Sequence, residues 1–516
     1  VCSSDLKGGG GVGDLNEVHR METFDMDATN GFLDSKWYHL YCSVQRCNSA
    51  LRVLNAATDE QVNGRVSRIA EMKVLRAHYY FELSRLFNKI PYFDENVEIS
   101  QYPDIPNNEF TREEILSMLA KEMLDAAEQL PASQPEVGRI HKYIALAYAA
   151  KIKLYQAYQQ DEITHAVTSI NKELLREVVS LCDQVTASNR YGLLDDFQGL
   201  DLVTNENGKE SVFAIQYSMN DGTESAGRIN WSNLLNSPGG GSPYGGDGFF
   251  LPSQDLINAY QTDANGLPDF NYQSKSDYSW AVLNNGVYTL QNTTPNVDPR
   301  LDFVVGRPTI TWKTYPDKPC EGWVRDKDTY GYNCAKRFWV SPESSDMFNG
   351  WPWGASQLNW QIIRYADILL WKAEALIELN EGNGLETARD LINQIRNRAR
   401  NSAYVKDFND HSKYAANYLV NPYPADVWNQ DYARQALRWE TRLEKALEGE
   451  RFFDLVRWGI VETTMNKYIT AESDNRIYYA NAHFTGGKDE YYPVPNNQYG
   501  FSGGKYVQNP GYAPFN

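Results

Sequence analysis

The sequence predicts a mainly α-helical protein, a scaffold of tetratricopeptide-like helix pairs carrying long irregular loops and a few short strands. Three observations lead there. Apolar residues recur at steps of three and four up to about residue 190 and again from about 361 to 460. Small alanines fall on the inner faces of segments joined by short connections, which lets paired helices approach closely. Between 192 and 360 the periodicity gives way to glycine, proline, asparagine and aromatic residues, broken only by strand-like runs such as SVFAIQY.

The elements follow in order. Residues 66–93 place Met72, Leu75, Tyr79, Leu83, Leu86, Phe87 and Ile90 on one helical stripe that stops before Pro91. Thr111, with Glu114 three residues on, has the capping-box pattern and opens TREEILSMLAKEMLDAAEQLP. Residues 139–158 carry Ile140, Ile144, Ala147, Tyr148, Ile152 and Tyr155 on one side, as an antiparallel neighbour of the preceding helix. The plan returns at Arg364–Asn380, where Ala366, Leu369, Leu370, Ala373 and Ile377 are in register. The turn EGNG and a helix from Leu385 to about Arg400 complete that pair. Further on, EGERFFDLVRWG packs charges among aromatics. Read as one helix over Leu443–Trp458, it points Leu447, Phe452 and Leu455 inward and pairs Glu448, Arg451, Asp454 and Arg457 along its side, a fold element rather than a catalytic cluster.

Composition narrows the function. The 516 residues, 42% hydrophobic and 22% charged, suit a globular protein with more than one core. With 67 acidic against 49 basic residues, a net charge of −18 and no Lys/Arg run, nucleic acid is excluded as a partner. No run nears the roughly 20 apolar residues of a membrane-spanning helix. The six cysteines form no CxxC pair and no zinc spacing, so no metal site and no cofactor is read. Cys320 and Cys334 bracket an aromatic loop, as a bridge in an oxidising compartment or as two free thiols.

Two enzyme-like motifs lack their context. Gly8, Gly10 and Gly13 spell GxGxxG with no strand predicted before them, so the dinucleotide reading fails. Gly500, Ser502 and Gly504 spell GxSxG, yet the last histidine, His483, precedes them where a triad needs one after. The carboxylates carry no motif that marks a glycosidase pair. Aromatics in loop sequence instead suit stacking on sugar faces, with Asp and Asn to bond hydroxyls. The candidate ligand-binding residues are Trp351, Trp353, Trp280, Trp231, Tyr244 and Tyr288, with Asp25, Asp27 and Asn30 from ETFDMDATNG as polar partners. Trp351 and Trp353 flank Pro352, which restricts the backbone so that both rings can be held outward, and this pair is preferred.

The chain resembles the RagB/SusD family of nutrient-uptake proteins of the Bacteroidetes outer membrane. The resemblance rests on KWYHLYCSVQRCNSALRVLN and EMKVLRAHYYFELSRLFNKIPYF, on KESVFAIQY, LPSQDLINAY and DPRLDFVVGRP, and above all on RYADILLWKAEAL, ETRLEKALEGERFFDLVRWG, YYPVPNNQ and QNPGY. It runs from about Trp37 to the end. It implies a SusD-like domain over 37–516, with helical repeats about 37–190 and 361–460 and a loop-rich ligand face about 192–360. It further implies a non-enzymatic, lipid-anchored protein on the extracellular face of the outer membrane. Such a protein captures glycan oligosaccharide and delivers it to a SusC-like TonB-dependent transporter. The alternative from another class is a tetratricopeptide-type docking scaffold with no sugar site of its own. Residues 1–36 are expected to be an incomplete or artefactual N-terminal segment. VCSSDL resembles a mature lipoprotein start with Cys2 as anchor, but it also reads as translated sequencing adapter, and the latter is favoured.

Overall fold

The computed structural model describes residues 5–223, 227–236, 238–239, 241–315 and 322–515. Cys2 and Cys320 lie outside the described residues, and with them the choice between an anchor and an artefact at Cys2 and between a bridge and free thiols at Cys320 and Cys334. The chain divides into two compact units. One comprises Val1–Glu22, Tyr191–Phe452 and Thr463–His483; the other comprises Thr23–Arg190, Phe453–Glu462 and Phe484–Asn516.

The second unit is helical. Helices Gly31–Ala56, Arg65–Phe87, Arg112–Gln129, Lys142–Ala157 and Lys172–Ala187 follow one another, each packed on the one before. Their starts are fixed locally. The Asn30 side chain accepts from the backbone N–H of Phe32 and Leu33, and Asn171 does the same for Glu173 and Leu174. The predicted capping box forms, with Glu114 N donating to Thr111 Oγ1 at 3.2 Å and Thr111 N to Glu114 Oε2 at 2.8 Å. The helix over 142–157 sits between two neighbours, so Ala145, Ala147, Ala149 and Ala150 are all fully buried. In the helix over 65–87 the buried face differs from the predicted stripe. Val74, Ala77, Tyr80 and Phe81 are fully buried, while Met72, Leu75 and Tyr79 are half-buried. The helix is packed on both sides, and its buried face includes Arg76, which a purely apolar pattern passes over. Arg76 donates to Asn48 Oδ1 at 2.8 Å and pairs with Glu95 and Glu122.

The first unit holds the second helix set. Ala366, Leu369, Ala373 and Ile377 of helix Tyr365–Leu379 share a core with Ala388, Ile392 and Ile395 of helix Gly384–Asn401 and with Ala433, Ala436 and Leu437 of helix Gln430–Glu444. Its sheets are short antiparallel pairs: Asp5–Gly8 with Phe249–Pro252, Ser211–Ile215 with Trp360–Arg364, and Trp280–Asn284 with Val287–Gln291. A strand therefore does precede the GxGxxG glycines, contrary to the sequence expectation. It pairs antiparallel in a two-stranded sheet, so it supplies no parallel βαβ unit and the dinucleotide site still lacks its frame.

The single helix expected over Leu443–Trp458 is two. Gln430–Glu444 ends, Leu447 and Gly449 take positive φ of 65° and 79°, and Arg451–Arg457 begins anew. The break turns Glu448 away from the expected Arg451 partner and onto Arg364 Nη2 (2.7 Å), Arg337 Nη1 (3.1 Å) and Lys445 Nζ (2.6 Å). Asp454 and Arg457 do pair, at 3.0 Å. Around Glu448 the charges form a buried network. Glu444 meets Arg364, Arg398 and Arg300, and Arg300 in turn meets Asp298 and Glu440. These guanidiniums hold the Glu444 carboxyl at about 2 against its burial. Every partner of Glu444 and Glu448 is an ion-pair partner in the core, which accounts for the charge density of this stretch.

Among the described residues no helix is long and apolar enough to cross a membrane, and no group of His, Cys, Asp and Glu could hold a metal ion.

Candidate ligand-binding site

The predicted residues fall in three places. The first is the hairpin Trp280–Asn284/Val287–Gln291. Its two-residue turn, Asn285–Gly286, has φ of 51° and 80°, the doubly left-handed turn that an Asn-Gly pair adopts most readily and that matches strand twist. Trp280, 44% exposed, lines an open cleft of about 580 Å³. Gln254, Asp277, Asp328, Tyr332, Asn333 and Arg476 share that wall. Tyr288, across the hairpin, meets Tyr332 edge to face at 5.4 Å.

The cleft's polar groups are held yet unspent. Arg476 donates to the carbonyls of Asn475 (3.0 Å) and Tyr330 (3.2 Å), and has no carboxylate at ion-pair distance among the described residues. Asp277 accepts from Asn258 Nδ2 at 2.8 Å, which orients it. Asp328 and Asn333 make no hydrogen bond to other described side chains. Gln254 opens a short helix that Ser253 caps through Leu256 N–H. The neighbouring Asp255 N–H donates to Glu472 Oε1 at 2.9 Å, and burial, then the Asp255 charge, push the Glu472 carboxyl up to about 7. An exposed indole beside a carboxylate, an amide and a guanidinium offers a stacking face and paired donors and acceptors, the chemistry that reads a sugar ring.

The second place is the tryptophan loop. Trp351 is 61% exposed, Trp353 44% and Trp231 46%. Asn230 N donates to Ser356 O at 2.8 Å and Phe348 N to Ala355 O at 2.8 Å, which ties the Trp231 segment to the loop bearing the other two. Trp353 lies over Gly245, where φ is +69° and an added Cβ would come within 3.2 Å of the ring. Tyr244 is a correction. It is buried at 3%, its hydroxyl donates to Val340 O at 2.7 Å, and its ring meets Trp312 and Trp339 at 5.1 and 4.6 Å. A ring enclosed by two indoles has no face left for a ligand.

The third place, Asp25, Asp27 and Asn30, belongs to the helical unit. Asp25 is exposed, and Asp27 accepts from Thr29 N–H at 2.8 Å. Asn30 is a second correction: it is 1% exposed and its amide oxygen is committed to the helix start. The GxSxG serine, Ser502, is buried at 1%, donates to Tyr499 O and accepts from Lys505 N–H, so it closes a turn. Sequence reasoning missed Asp328, Asn333 and Arg476. Arg476 stands roughly two hundred residues beyond Trp280 in the chain, and no spacing links them.

A helical-repeat scaffold bearing an aromatic, polar-lined surface is thus the class that the fold and this site define. The model of the SusD family matches residues 209–512, more than half of the chain, and a second model, described as starch-binding associating with outer membrane, matches 13–154. The chain belongs to the SusD family. It is 23% identical over 518 residues to SusD-like protein P2 of Formosa agariphila, covering 99% of this chain and 87% of that protein. Among solved structures, a SusD homolog from Bacteroides thetaiotaomicron superposes with TM-score 0.71 at 18% identity, covering 99% of this chain and 91% of the other. A laminarin-binding SusD-like protein superposes with TM-score 0.67 at 20% identity, covering 99% and 92%.

Proposed function

We propose that the protein captures oligosaccharide at the cell surface and passes it to a TonB-dependent outer-membrane transporter, as a lipid-anchored binding component without catalysis of its own. The observation that carries this is the cleft of about 580 Å³ at Trp280, where Asp328, Asn333 and Arg476 present unspent hydrogen-bonding groups beside a half-exposed indole. Membership in the SusD family supports the reading, as does the laminarin-binding protein of the same fold. Trp351 and Trp353 form a second aromatic face suited to a longer chain. The test is retention on affinity gels carrying plant, microbial and host polysaccharides, with Trp280→Ala and a Trp351→Ala/Trp353→Ala double variant beside the parent. Retention by one glycan, lost in Trp280→Ala, places the primary contact in the cleft; loss only in the double variant moves it to the tryptophan loop. A parent protein that no glycan retains overturns the proposal in favour of a docking scaffold.

A further inference from the structure

A second cleft, of about 510 Å³, lies wholly within the helical unit, and its chemistry differs from that of the Trp280 cleft. Its walls come from the turn at 163–166, the end of helix Arg451–Arg457 with Gly459, and the glycine pair Gly486–Gly487. Gly459, Gly487 and Gly511 have positive φ, so backbone rather than side chain forms much of the wall and an occupant can come close.

The cleft is rich in acceptors. Glu462 Oε1 accepts from Gly486 N–H at 3.1 Å, and Glu490 Oε1 from Gly487 N–H at 3.2 Å. Glu490 Oε2 is buried with no hydrogen-bond partner, as is His165 Nε2; the two residues are 7% and 3% exposed. No lysine or arginine lines the cleft. Two basic side chains stand next to that lining without being part of it. Lys488 pairs with Asp489 at 3.1 Å and lies over the Tyr512 ring, while Arg112 lies 5.8 Å from the Tyr491 ring centroid. Burial first, then the Asp489 and Glu462 charges, push the Glu490 carboxyl up to about 7. Burial, then the Arg112 charge, hold His165 down at about 4, with Lys89 acting the same way and Asp161 opposing, so its imidazole is neutral at pH 7.

We propose that this cleft binds a primary ammonium group, the charge of an amino sugar or of a peptide amine, seated between Glu490, Glu462 and His165. Two carboxylates and an imidazole nitrogen without a hydrogen-bond partner line the cleft, and no lysine or arginine lines it with them. An ammonium brings three donors and the missing charge, and two orphaned buried acceptors stop costing desolvation once it is seated. Binding ionises Glu490, so at pH 6 the complex releases up to one proton to the buffer.

Calorimetry on the full chain at pH 6, in buffers of different ionisation enthalpy, tests this with glucosamine, glycinamide, glucose and N-acetylglucosamine as probes. The expected result is binding of at least one ammonium probe with net proton release, no proton-linked binding of glucose or N-acetylglucosamine, and an affinity for the ammonium probe about tenfold lower or worse in Glu490→Gln. Which of glucosamine and glycinamide binds more tightly identifies the source of the amine. Glu462→Gln gives a second variant, and Trp280→Ala keeps ammonium binding because it alters the other unit. Absence of binding by both ammonium probes overturns the proposal. So does equal binding of glucose with the same proton release, or ammonium affinity unchanged in both glutamine variants.

Discussion

Replacing Glu444 by glutamine isolates the ion network that the EGERFFDLVRWG stretch completes. Glu444 is fully buried and meets Arg300, Arg364 and Arg398, which hold its carboxyl at about 2 against an ordinary 4.5. A depression of that size corresponds to about 3 kcal/mol in favour of the folded state, in line with the roughly 3–5 kcal/mol lost when one member of a buried pair is removed. Because the folded value lies below the unfolded one, the contribution is complete above pH 4.5 and disappears as pH falls towards 2. Glutamine keeps the shape and removes the charge. Urea unfolding followed by tryptophan fluorescence should therefore show Glu444→Gln less stable by about 3 kcal/mol at pH 7, a midpoint shift on the order of 1 M for a slope of about 3 kcal/mol/M. The gap between the two proteins should narrow steadily from pH 5 to pH 2.5. A gap under about 0.5 kcal/mol at pH 7, or one that stays constant with pH, refutes the account of Glu444 as an ionised member of the network.

Other outcomes follow from single contacts. Trp280→Ala should weaken glycan binding by about five- to thirtyfold, roughly 1–2 kcal/mol for one lost stacking face, with the unfolding midpoint unchanged, as checked by calorimetry beside thermal melting. Tyr244→Phe removes the hydroxyl that bonds Val340 O, so it should cost about 1 kcal/mol of stability and leave glycan retention intact; altered retention would return Tyr244 to the ligand face. Thr111→Ala deletes the capping box and should cost about 1 kcal/mol in urea unfolding, whereas Thr111→Asp should largely restore it. Trp351→Ala should unfold within about 0.5 kcal/mol of the parent, since its ring is 61% exposed, as checked by urea unfolding.

Local features were legible in the residues alone: the helix start at Thr111, the alanine faces over 142–157 and 365–379, and the EGNG connection. Each depends on residues within a turn or two of one another, where spacing alone fixes geometry. Contacts between distant segments came only with the fold. Two positive-φ residues split the helix expected over 443–458, because Glu448 finds Arg337 and Arg364, both over eighty residues earlier, rather than its sequence neighbour Arg451. Tyr244 sounded like a ligand aromatic and became core because Trp312 and Trp339 close over it. Trp280 acquired a polar cleft because Arg476 and Asn333 arrive from other parts of the chain. Burial and pairing between remote segments leave no periodic trace in a single sequence, so the scaffold was legible there and the composition of its sites was not.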